Sequence, residues 1–155
     1  IRYQFPARGK RAPVEFVWYD GGDLPPADLL PGVKLRSGGF MLVGDKGTLY
    51  SPTDYGETFD IYVNGQVAQY EKPTPTLPRS PGVHAEWLNG IRDGVQPMAN
   101  FEYAAPFTEA MLLGNLALRT GERIQWDAAA MRTDSATANA LLSKTYRRGF
   151  ELTRV

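Results

Sequence analysis

Apolar positions recur with a period of two through the first half of the chain and with a period near 3.6 through the second, which predicts strands followed by helices. IRYQF sets Ile1, Tyr3 and Phe5 on one face of a strand. VEFVWYD, residues 14–20, is apolar on both parities, with Phe16 and Trp18 on one face and Val17 and Tyr19 on the other. A strand of that kind is covered on both sides, either as a central strand under helices or with one face against another subunit. GGDLPPADLLPG (21–32) is a Gly/Pro-rich loop. FMLVGDKGTLYS (40–51) reads as a hairpin turning at Gly44-Asp45-Lys46-Gly47. FDIYVNGQVAQY (59–70) reads as a second hairpin, with Asn64-Gly65 supplying the positive φ angles of a two-residue turn.

Residues 71–82 hold four prolines, which cannot donate to a sheet ladder, and form a connector. Ser80-Pro81 reads as an N-cap followed by proline in the first helical position. The helix predicted there, 81–93, carries His84, Trp87, Leu88 and Ile91 on one continuous face and stops at Gly94. A second helix over about 105–119 has Pro106 near its start and Gly121 past its end. Its apolar residues, Phe107, Met111, Leu112, Leu116 and Leu118, lie nearly all round, which predicts the most buried helix of the chain. Gly114 in its middle costs stability by propensity, so another backbone is expected to approach closely there. RIQWD (123–127) reads as a short strand whose Asp127 is an N-cap for the next element, and a last helix is expected around 135–145. Glu109 reads as a first-turn acid favoured by the helix dipole. Tyr146, Arg147 and Arg148 are expected to anchor the end of the chain back on the fold. Strands first and helices second is the order of an α+β domain, and no internal repeat is visible.

The chain has 155 residues, one domain's worth, with 43% hydrophobic and 12% aromatic residues, a composition that folds. Seventeen basic and 17 acidic side chains cancel, so there is no electrostatic footprint for nucleic acid or an anionic membrane, and little self-repulsion to oppose association. No cysteine and a single histidine, His84, exclude disulfides and thiolate chemistry and leave no ligand set for zinc. No apolar run reaches a membrane span. The chain opens on a strand without an initiator methionine, which predicts a segment of a longer protein or a processed product. There is no GxGxxG after a strand, no GxxxxGK[ST] and no nucleophile elbow.

Five stretches, in order from about residue 14 to 150, carry a resemblance: VWYDGGDLP, FMLVGDKGTLYSPTDYGE, HAEWLNGIRDG, FEYAAPFTEAMLLGNLALRTGERIQWDAAAM and YRRGF. Together they resemble the C-terminal half of Gfo/Idh/MocA-type oxidoreductases of a bacterial branch. The resemblance implies an α+β domain over residues 1–155 with an open, largely antiparallel sheet. Helices would pack on one sheet face, and the other face would associate with another subunit into a dimer or larger species. It also implies a Rossmann domain for NAD or NADP in the parent protein, hydride transfer on a sugar, cyclitol or related polyol, and a catalytic lysine and Asp/His pair in the parent's other half. That nucleotide-binding half is absent here. No catalytic, cofactor-binding or metal residue is therefore expected in this chain, and by itself it is expected to be inactive.

Glu71-Lys72-Pro73 echoes the family's catalytic EKP motif, but that motif follows a strand of the nucleotide-binding domain. Here the triplet leaves a hairpin for a proline-rich connector, and Lys72 is read as a solvated side chain. His84 either packs in the core with one nitrogen hydrogen-bonded or, as the resemblance implies for the chain entering this helix, contacts substrate together with Arg79. Trp18, Tyr19 and Asp20 are read as packed aromatics and a turn acid. The alternatives are a stand-alone binding or assembly module and part of an NAD-dependent glycoside hydrolase of the same family. The compartment stays open between the cytoplasm and export to the periplasm.

Overall fold

The computed structural model describes residues 1–151. Eight short strands and three α-helices follow one another as β1 (Arg2–Phe5), β2 (Val14–Val17), β3 (Phe40–Val43), β4 (Thr48–Ser51), β5 (Asp60–Val63), β6 (Gln66–Val67), α1 (Val83–Asp93), α2 (Phe101–Thr120), β7 (Trp126–Asp127), β8 (Arg132–Thr133) and α3 (Ala136–Asn139). The class is α+β with antiparallel sheets, as the order of periodicities predicts. The chain divides into two compact units, one of Val17–Pro78 and one joining Ile1–Phe16 to the chain from Arg79 onward.

The Val17–Pro78 unit is built on a four-stranded sheet of order β3-β4-β5-β6. Both predicted hairpins form. Gly44–Gly47 closes the first, with Val43 opposite Thr48 and the Gly44 amide on the Gly47 carbonyl at 3.0 Å. Asn64 (φ 52°) and Gly65 (φ 76°) close the second between Val63 and Gln66, the two positive φ angles a tight hairpin turn requires. Alternation splits the sheet into two faces. Thr48 and Tyr50 are buried on one, and the Tyr50 hydroxyl accepts from the Arg36 amide at 2.9 Å, holding the preceding loop to the strand. On the other, Leu42, Leu49 and Ile61 stand in register across three strands, with Leu42 60% exposed.

β2 is shorter than its apolar run. Among the described residues it pairs with β1 alone, and Val14 and Trp18 remain exposed, so it is an outer ribbon rather than a central strand. The run ends where Asp20 turns the chain, its side chain accepting from the Gly21 amide at 2.7 Å.

In the other unit, α2 begins at Phe101, earlier than its apolar period suggests. Asn100 caps it by accepting from the Tyr103 amide at 3.1 Å, which leaves Pro106 inside the helix rather than at its start. Its C-terminus is as expected, with Gly121 in the left-handed conformation (φ 68°). Along its 20 residues only Gly114 and Leu116 are buried, while Phe101, Tyr103, Phe107, Leu112 and Leu118 are exposed, contrary to the burial expected for it. Gly114 does mark a close approach, though by a side chain: the Tyr3 hydroxyl from β1 lies against it and donates to the Met111 carbonyl at 3.2 Å. Tyr3 is itself set by ring contacts to Phe5 (6.4 Å) and Phe16 (5.4 Å). Burial against the helix pushes its phenol above the ordinary tyrosine range.

α3 is a single short helix capped by Ser135, which accepts from the Ala138 amide, and it stops at Asn139 instead of near residue 145. Its Asn139 side chain is the reason it stays in place: it accepts from the Thr133 amide at 2.8 Å and donates to the Thr133 carbonyl at 2.9 Å. Asp127 caps a turn, not a helix, accepting from the amides of Ala129 and Ala130. Among the described residues, neither arginine of YRRGF pairs with a side chain elsewhere in the fold. Arg147 stacks on Phe150, 4.0 Å from its ring centre, within the same segment.

A Cβ added at Gly114 would overlap the Tyr3 hydroxyl oxygen. Gly114→Ala must displace Tyr3 and is expected to lower stability by about 1–3 kcal/mol, read from the urea midpoint. With Tyr3→Val already present, the same change is expected to be neutral or to stabilise by up to about 1 kcal/mol, since helix propensity alone then acts.

Candidate functional site

The two residues expected near substrate lie at the entrance to α1. Arg79 is in the extended connector and exposed, and His84 is in the first turn of the helix and exposed. The predicted face of α1 is continuous, but it points outward. Trp87, Leu88 and Ile91 are 63%, 58% and 68% exposed, and no residue of α1 is buried. The core-packed reading of His84 is thereby corrected, since the side chain is exposed. The half-buried side of the helix is the one bearing Ala85, Glu86, Asn89 and Gly90.

Local chemistry explains that orientation. Ser80 does not cap the helix directly: its hydroxyl accepts from the Gly82 amide at 3.0 Å and donates to the Glu86 carboxylate, while Gly82 (φ 105°) is the N-cap. The other Glu86 oxygen accepts from the Met98 amide at 2.8 Å. Gly90 lets the returning chain close in, since a Cβ there would meet the Val95 carbonyl at 3.2 Å. The segment after α1 thus folds onto the small, polar side of the helix, and the apolar side is left uncovered. The two hydrogen bonds, that from Ser80 first, hold the Glu86 carboxyl below the usual carboxylate range.

Lys72 is solvated, as expected for the EKP triplet in this place. It is exposed in a stretch without regular structure and makes no hydrogen bond or ion pair among the described residues.

A groove of about 650 Å³ runs along α2. Phe101, Leu112, Leu113 and Leu116 form its helical wall, Trp126 of β7 and Met131 of the following turn its side, and Leu141 and Leu142 its far margin. α3 packs on α2 and β8 and carries that margin into place. Two charged side chains also line it, Glu109 and Arg119. Glu109 is well inside α2, in its third turn, and accepts from the Trp126 indole nitrogen at 2.6 Å. A half-buried indole N–H requires an acceptor, and a carboxylate gives it a charge-assisted one. The first-turn role expected for Glu109 rested on a helix start that lies farther upstream. An acid on the apolar stripe of a helix was the signal for its buried task, and the tryptophan seventeen residues on was its partner.

The groove can hold an apolar body with one acceptor and one donor at its edges. Among the described residues no three His, Asp or Glu side chains converge. Among those residues no helix is long and apolar enough to cross a membrane. Compared with protein-family models, with curated proteins and with solved structures, the chain matches none.

The Glu86 junction should be acid-sensitive. A carboxyl whose folded pKa is depressed contributes stability above its unfolded value, near 4.5, and loses that contribution as pH falls through the lower folded value. Carboxyl NMR titration is expected to place Glu86 below the ordinary glutamate range. The Met98 amide should shift with the same midpoint, and Ser80→Ala should move that midpoint up.

Proposed function

We propose that this chain is the substrate-binding and assembly half of an NAD(P)-dependent oxidoreductase of Gfo/Idh/MocA type, acting on a sugar, cyclitol or related polyol. The observation that carries the reading is the series of five motifs in family order, from VWYDGG to YRRGF, across nearly the whole chain. Their local structure is in keeping with it. VWYDGG runs off β2 into the Asp20 turn, GDKG turns the β3–β4 hairpin, and the span from FEYAAPFTE to IQWD is α2, its glycine stop and β7. In this reading the helices cover one face of a larger antiparallel sheet in the assembled enzyme.

The other face is the surface of self-association, and Leu42, Leu49 and Ile61 are the apolar row that supports it. The nicotinamide cofactor, NAD or NADP, belongs to the Rossmann half. When bound there it accepts or donates the hydride, and the present chain contributes the wall against which the polyol is held. Arg79 and His84 are the substrate contacts in this proposal. Both are exposed at the mouth of α1, and a guanidinium and an imidazole both suit hydroxyl-rich ligands.

A stand-alone assembly module is the second reading, favoured by the outward apolar face of α1. The reading frame upstream of Ile1 separates the two. A dinucleotide fingerprint and an EKP motif within about 100–250 residues support the oxidoreductase, and a start codon beside Ile1 supports the module.

Isothermal titration of the 155-residue chain with NAD(H) and NADP(H) is expected to give no heat of binding, and micromolar affinity would overturn the assignment of the cofactor to another domain. In the parent enzyme, His84→Ala is expected to raise KM with little change in kcat or melting temperature, because His84 is exposed. An unchanged KM would remove it from the substrate site.

A further inference from the structure

Glu109 and Arg119 lie ten positions apart on α2, hence about 15 Å along its axis, and both face the same groove. Between them the groove is lined by Leu112, Leu113 and Leu116. Arg119 is exposed and makes no hydrogen bond or ion pair among the described residues. Glu109 gives one carboxylate oxygen to Trp126 and keeps acceptor capacity on the other. On the side away from the groove, Tyr3 and Ile1 close on Gly114.

A base and an acid at the two ends of one apolar stripe are complementary to the same stripe turned end for end. A two-fold axis perpendicular to α2, crossing it near residue 114, sets a second copy antiparallel to the first. Glu109 of each copy then comes level with Arg119 of the other, with the exposed Leu112 of each copy and the edge of Leu113 between them. A formal net charge of zero leaves no global repulsion against this encounter.

We propose that the α2 groove is an isologous interface that takes a second copy of this chain, with two Glu109–Arg119 ion pairs flanking an antiparallel leucine seam. It is separate from the sheet face and does not depend on the oxidoreductase reading. The charge pattern is what selects this occupant: a second copy supplies an acid for Arg119 and a base for Glu109 at the required spacing. Pairs of this kind at an interface fix register and partner more than they add affinity.

Sedimentation equilibrium of the full 155-residue chain, from low to hundreds of micromolar, tests it. The wild type is expected to show a monomer–dimer equilibrium. Arg119→Glu changes an exposed side chain without partners among the described residues, so it should keep the wild-type circular dichroism spectrum while weakening the dimer about tenfold or more. Glu109→Arg should do the same. An equimolar mixture of the two variants should regain dimer, because one carries acids at both positions and the other bases at both. Three results overturn the proposal. The first is a wild type that stays monomeric throughout, which gives the groove to another occupant. The second is a dimer indifferent to Arg119→Glu. The third is a folded pair of variants that fails to associate on mixing. Leu42→Lys on the sheet face distinguishes the two surfaces: a dimer lost with Leu42→Lys and untouched by Arg119→Glu overturns the α2 interface and leaves the sheet-face association standing. If Glu109→Arg does not fold, Arg119→Glu against wild type decides the matter alone.

Discussion

The contact between Tyr3 and Gly114 is the constraint on which the helical unit rests. It joins the first strand of the chain to the middle of its longest helix, and it exists only because residue 114 has no side chain. A glycine in a helix interior costs about 1 kcal/mol in propensity. Here that cost is offset by seating an aromatic ring against the helix backbone, with its hydroxyl on the Met111 carbonyl. The contact also assigns the two sides of α2. One receives β1, and the other is left to form the wall of the groove, with Trp126 pinned to it through Glu109.

Apolar surface is the second theme. In each unit the buried hydrophobic set is small: Leu30 and Tyr50 in one, Leu116 and Ala138 in the other. Meanwhile α1 turns Trp87, Leu88 and Ile91 outward, β3 exposes Leu42 and Val43, and α2 exposes Phe101, Phe107, Leu112 and Leu118. Exposed apolar faces of this kind are characteristic of surfaces that meet another protein, a membrane or a ligand. Each uncovered leucine or tryptophan gives up about 1.5–3 kcal/mol that full burial would provide. The proposed roles of the chain, as one half of a larger enzyme and as a self-associating unit, both supply cover for these faces.

The candidate site was only partly legible. The histidine, its helix and the apolar stripe beside it can be read from spacing, and α1 forms with Gly94 as its stop. The direction of the stripe could not be read, because a periodic pattern fixes which residues share a face and not what that face meets. Direction was decided by Glu86 and Gly90, a polar residue and a small one. They drew the 95–98 segment onto the opposite side through a hydrogen bond to Met98 and a close backbone approach. Glu109 was misread for a related reason. Its helix starts at a cap, Asn100, that stands outside the apolar period, so its place in the helix could not be counted from the pattern.

The features legible in the residues alone are local ones: two hairpins closed by GDKG and NG, helices ended by Gly94 and Gly121, a proline-rich connector, and an α+β order. Turn residues and caps act within a few positions of themselves, so their effect can be read in place. Every pairing between distant parts emerged only with the folded chain. Tyr3 fills the gap at Gly114, Trp126 finds Glu109, and Asn139 closes on Thr133. These depend on which surfaces are brought within a few ångströms of each other, and periodicity carries no information about that.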